Sequence, residues 1–107
     1  MTTDERRREL YNMIKGIPAR QVYLDLLYAN GCSERPPRAC SAIACIAGWA
    51  WIYPPFIKAG IRRITDSPMS ACEMFFNLPE YVFYPRQPHE RGSEKTIALL
   101  RIKGFLE

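Results

Sequence analysis

Hydrophobic and polar positions recur along most of this chain with the spacing of amphipathic helices, and one stretch breaks the rule. Residues 39–53, ACSAIACIAGWAWIY, carry no charge, and apart from tryptophan and tyrosine their only polar side chain is Ser41. A helix that is apolar on every side has to be surrounded by other elements, so the pattern predicts one buried central helix over 39–53. Within it Cys40, Ala44, Ala47 and Gly48 form a small-residue strip that admits a close neighbour. Trp49 and Trp51 project about 200° apart, which puts at least one indole near the edge of the core.

The flanking segments read as its covering. Leu10, Met13, Ile14 and Ile17 repeat at three- and four-residue steps behind a start at Thr3 or Asp4. That predicts one stripe against the body, with Arg6, Arg7 and Arg8 in solvent. Gly16 and Pro18 stop this helix. A second is predicted from Pro18, with Val22, Tyr23, Leu26 and Leu27 inward and Asn30-Gly31 as a left-handed cap. GCSERPPR over 31–38 reads as an exposed loop.

Beyond the centre, Pro54-Pro55 opens a short turn to Gly60, and IRRIT over 61–65 is an extended connector or an edge strand. Asp66 or Ser67 caps a helix that begins at Pro68, with Ala71, Met74, Phe75 and Leu78 as its face and Asn77 near its end. PEYVFYPRQPHERG, over 79–92, is read as a turn carrying Tyr81, Phe83 and Tyr84 across the surface, followed by a polar loop. Ser93 caps the last helix, whose face is either Ile97, Leu100 and Phe105 or Ala98, Ile102 and Phe105. The expected fold is all-α, a compact single-domain bundle of about five short helices around the buried one.

Composition narrows this further. With 107 residues, 48% hydrophobic and 24% charged, the chain lies outside the disordered class and can bury a core without staples. The net charge of +4 suits acidic partners, but basic and acidic residues interleave and no basic tail stands out. The uncharged run from 39 to 57 raises the question of a membrane span. Prolines 54 and 55 cut it to about 22 Å of helix against a hydrocarbon core of about 30 Å, so a buried helix is expected and no membrane. MTTDERRREL opens with charge where a secretory signal needs an apolar stretch. A cytoplasmic protein with reduced cysteines at 32, 40, 45 and 72 is therefore expected.

The run C-S-A-I-A-C-I-A-G-W-A from Cys40 to Ala50, with the later F-Y-P and a final helix opened by serine, resembles small proteins of phages, prophages and bacterial mobile elements. Their pattern is C-G-T-x-x-C-I-A-G-W-A. Ser41 and Ala42 stand here where that pattern has Gly-Thr. The resemblance covers residues 40–102 and implies a genetic setting, the bacterial host cell, more than a mechanism. In that setting inhibitors of host defence, anti-CRISPR proteins among them, are a familiar class.

The candidate chemistry is thin. Four cysteines and His89 could ligate zinc, but no Cys-x-x-Cys pair occurs and Cys40 and Cys45 lie about 140° apart on a helix. The cysteines are read as core residues and no metal or cofactor is expected. Cys32 beside arginines, with His89 as the one histidine base, makes a weak case for thiol catalysis, since nothing brings the two together. No catalytic residues are assigned. Arginine and tyrosine dominate protein-interface hot spots, which makes Arg35, Arg38, Tyr81, Phe83, Tyr84, Arg86 and Arg91 the expected partner-binding residues. The expectation is a non-enzymatic module that binds another protein, for instance a host defence complex. The alternative is a nucleic-acid-binding accessory or regulatory protein working through the same arginines.

Overall fold

The computed structural model describes residues 1–24 and 45–106. Among these the fold is all-α, with five α-helices, three short 3-10 turns and no strand: α1 Thr3–Gly16, α2 Ile46–Ile52, α3 Pro54–Lys58, α4 Pro68–Phe76 and α5 Glu94–Lys103. The 3-10 turns are Ala19–Gln21, Ile61–Arg63 and Glu80–Phe83. None of the helices is long and apolar enough to cross a membrane.

α1 begins at Thr3, one of the two expected starts, with Thr2 as its N-cap. The Thr2 hydroxyl accepts the Glu5 N–H while the Glu5 carboxylate accepts the Thr2 N–H, a reciprocal capping box. Leu10, Met13, Ile14 and Ile17 are all buried, as their spacing requires. Ser67 and Ser93 cap α4 and α5 through the N–H groups of Ser70 and Thr96. Asn77 ends α4 in the left-handed conformation at φ 50°, a region that asparagine tolerates better than most residues. On α5 the buried set is Ile97, Ala98 and Ile102, and Leu100 is exposed.

The central helix is shorter than its apolar run. Cys45 is extended (φ −78°, ψ 179°) and serves as the N-cap of α2, its Sγ accepting the Gly48 N–H at 3.4 Å. A single helix over 39–53 is thereby corrected to one that starts at Ile46; residues 39–44 lie outside the described residues. A thiol in place of the usual hydroxyl supplies the acceptor that ends the helix backward. The expected burial holds, for Ile46, Ala47, Trp49 and Ala50 have no exposed surface. Trp49 Nε1 donates to the Gln21 carbonyl at 2.7 Å, so the fully buried indole is satisfied inside the core. Trp51 is the indole at the boundary.

Other local expectations are corrected. The segment after Pro18 makes only the Ala19–Gln21 turn before Val22 becomes extended, and Tyr23 is exposed rather than inward. Leu26, Leu27 and the Asn30-Gly31 cap lie outside the described residues. Pro54-Pro55 starts a helix rather than a turn, because proline is pre-set for the first helical positions. That helix carries Phe56 into edge-to-face contact with Tyr53, Phe75 and Phe76 at centroid distances of 4.9, 5.6 and 4.9 Å. Residues 61–63 form a 3-10 turn, not a strand, after Gly60 at φ 99°. On α4 Met74 is exposed and Phe76 takes the inward place.

Three helix C-termini receive a cation from another element. Arg6 Nη1 donates to the Phe75 carbonyl at 3.1 Å, and its guanidinium lies 4.0 Å above the Phe75 ring. Arg7 donates to the carbonyls of Phe76 and Asn77. Lys95 Nζ caps α1 at the Lys15 carbonyl, 2.8 Å, and Arg62 Nε caps α2 at the Trp51 carbonyl, 3.0 Å. The last carbonyls of a helix lack intrahelical partners and carry its negative pole. Arg6 and Arg7 are thus part of the tertiary structure, against the expectation that they face solvent. Tyr53 adds a polar tie between α1 and the α2–α3 junction, its hydroxyl donating to Glu9 at 2.5 Å. Burial, aided by that carboxylate, pushes the Tyr53 phenol up to about 12.

Candidate partner-binding site

Pro79 ends the approach from α4 and the chain enters the Glu80–Phe83 turn. A 3-10 turn has three residues per revolution, so positions three apart eclipse. Tyr81 and Tyr84 consequently face outward together, 52% and 37% exposed, while Val82 and Phe83 point into the core. This corrects the reading of Phe83 as a surface residue: at 1% exposure it anchors the turn and is closed to a partner.

One arginine fixes the turn and the loop after it. Arg101, projecting from α5, donates Nε to Glu90 Oε2 at 2.9 Å and Nη2 to Glu90 Oε1 at 2.5 Å. Its Nη1 donates to the carbonyls of Val82 (3.2 Å) and Tyr84 (2.5 Å), and Nη2 also to that of Pro85 (2.9 Å). A guanidinium has five N–H donors, and each has an acceptor here. Glu90 in turn accepts the Gln87 N–H at 2.8 Å. The pair is largely shielded, with side-chain exposures of 6% for Arg101 and 15% for Glu90. The Arg101 hydrogen bonds hold the Glu90 carboxyl down at about 2, outweighing the opposing effect of burial.

Between the turn and the loop lies a groove of about 330 Å³ lined by Tyr81, Tyr84, Gln87, His89, Glu90 and Arg101. The Tyr84 hydroxyl donates to Glu80 Oε1 at 2.8 Å, and that bond raises its pKa. Tyr81 leans on Phe105 at 6.3 Å between ring centroids, with the Arg7 guanidinium 5.7 Å from the Phe105 centroid.

Of the expected partner-binding residues, the structure brings Tyr81 and Tyr84 together on this groove. Arg86 lies at its flank, with Nη1 3.6 Å from Glu94 Oε2 and Nη2 donating to the Glu90 carbonyl. Arg91 donates to the Pro88 carbonyl at 2.9 Å and does not line the groove. Arg35 and Arg38 lie outside the described residues. Sequence reasoning missed Glu90 and Arg101. Their partners sit 11 to 19 positions apart, so no helical or strand spacing marks them.

The thiols in the described core are not poised for chemistry. Burial pushes both Cys45 and Cys72 upward, and a protonated buried thiol is a poor nucleophile. Among the described residues no cluster of three His, Cys, Asp or Glu side chains could hold a metal ion.

No family model matches the chain, and neither a curated protein nor a solved structure matches it.

Proposed function

We propose that this chain is a non-enzymatic protein-binding module that acts by contact through the Tyr81–Tyr84 face. The observation that carries the reading is the pair of outward tyrosines on a turn whose clamp, Arg101, has no donor left over. Tyrosine offers a large amphipathic contact with little side-chain entropy to lose, and a turn already fixed costs little further ordering on binding. The resemblance to phage and mobile-element proteins sets the partner in a bacterial cytoplasm, as a component of a host defence system inhibited in the manner of an anti-CRISPR protein.

Direct nucleic-acid binding is the weaker reading, because Arg6, Arg7, Arg62 and Arg101 each donate to a carbonyl of the chain itself. A phosphate contact from them would have to break those bonds. The test is capture from a bacterial lysate with the wild-type protein and with Tyr81→Ala/Tyr84→Ala. A stoichiometric protein partner retained by the first and lost by the second is expected. Salt-sensitive DNA or RNA binding at about 50 mM salt, with no protein retained, would replace this reading with the nucleic-acid one.

A further inference from the structure

The chain as a whole is basic, yet the groove is not. Arg101 is matched by Glu90 and Arg86 lies against Glu94. Glu80 remains: it accepts the Tyr84 hydroxyl at 2.8 Å, and among the described residues it has no ion-pair partner. The rings of Tyr81 and Tyr84 line the groove together with Gln87, His89 and the Glu90–Arg101 pair, and Glu80 sits beside it at the Tyr84 hydroxyl. Aromatic faces attract cations through their quadrupole, and a neighbouring carboxylate adds to that attraction. An anionic ligand finds no free donor in the Arg101 fork and meets the Glu80 carboxylate beside Tyr84. At about 330 Å³ the space is near the lower end of ligand pockets and suits a side chain rather than a folded element.

We infer that this groove takes a cationic side chain, arginine or lysine, presented by the partner protein. Its stem lies against Tyr81 and Tyr84, and its charged head lies toward Glu80. The inference rests on the contact reading above and reverses the polarity that the arginine-rich sequence suggested. The chain would meet its partner here through local negative charge despite its positive total.

The test uses the full chain and a blocked Gly-Arg repeat peptide, with the citrulline counterpart and a Gly-Glu repeat as controls, followed by the ring resonances of Tyr81 and Tyr84 in NMR. Saturable shifts with Gly-Arg, weaker binding of the uncharged citrulline peptide and none with Gly-Glu are expected. Glu80→Gln keeps an acceptor for the Tyr84 hydroxyl and removes only charge, so it should weaken Gly-Arg binding about threefold or more. Unmoved rings with Gly-Arg, equal affinity for Gly-Glu, or undiminished binding by Glu80→Gln would overturn the inference. If the Tyr81→Ala/Tyr84→Ala variant loses its captured partner while Gly-Arg leaves the rings unmoved, the contact reading stands and the cationic occupant falls. If Gly-Arg binds but the double variant still captures the same partner, the groove is a cation site and the contact surface lies elsewhere.

Discussion

Helix α2 and the loop after the Glu80–Phe83 turn are held by opposite means. α2 is fixed by burial: Trp49 and its neighbours are surrounded by α1, α3 and α4, and one indole hydrogen bond orients the largest side chain. The Glu80–Phe83 turn also rests on buried side chains, Val82 and Phe83. The loop that follows it, however, is held by the directed donors of Arg101 and the carboxylate of Glu90. Non-directional burial suits a scaffold, since it tolerates small shifts. Directed hydrogen bonds suit a surface whose side chains must be presented in one arrangement.

Trp49→Ala is the largest expected effect. It empties a site with no exposed surface and removes the donor to Gln21, and truncations of this kind cost about 3–5 kcal/mol. Denaturant unfolding of the variant measures it, and a loss below about 1.5 kcal/mol would mean the site collapses cheaply, which close-packed interiors rarely allow.

Arg101→Met comes next. Methionine keeps much of the stem and the helix propensity of α5 but removes all five donors. It leaves Glu90 and three carbonyls to find water. The expected cost is about 2–3 kcal/mol, between an exposed and a fully buried ion pair. Hydrogen exchange should localise the change: the Gln87 and Glu90 amides, which bond within this loop, should lose protection more than those of α2. Equal loss in both would show that the loop is no separate unit. The pair also predicts an acid response. The folded Glu90 carboxyl lies at about 2, below its ordinary 4.5, so the native state binds its proton less readily than the unfolded chain does. The stabilisation is complete above about 4.5 and is lost as pH falls toward 2. Arg101→Met should flatten that part of the stability profile.

The same contrast explains what the sequence made legible. Apolar periodicity reports burial, so the α1 stripe and the uncharged centre could be read in advance; capping chemistry gave Ser93, narrowed the start of α4 to Asp66 or Ser67 and put Asn77 near its end. A thiol cap at Cys45 could not, because cysteine is no usual cap and the apolar run continues through it. Arg6 and Arg7 looked like solvated charge, and Arg101 drew no reading at all, because backbone carbonyls are acceptors that every residue carries and no pattern marks. Phe83 was misplaced for a geometric reason: the three-residue period of the turn turns it inward between two outward tyrosines. That period was available from the Pro79–Pro85 frame, but a proline-bounded aromatic stretch also fits an irregular loop.

The smallest expected effect is also the one that separates presentation from support. Tyr81 is half exposed and its ring leans on Phe105, so Tyr81→Ala should change unfolding free energy by about 0.5 kcal/mol or less, as surface substitutions do. If the turn is held as described, this variant keeps the amide protection of Gln87 and Glu90 and the acid response of the Glu90–Arg101 pair, while losing partner capture. A stability loss comparable to that of Arg101→Met would instead make the Tyr81–Phe105 contact part of the support. The two outward tyrosines would then be core edges rather than a contact surface, and the division between a buried scaffold and a polar-clamped display would no longer hold.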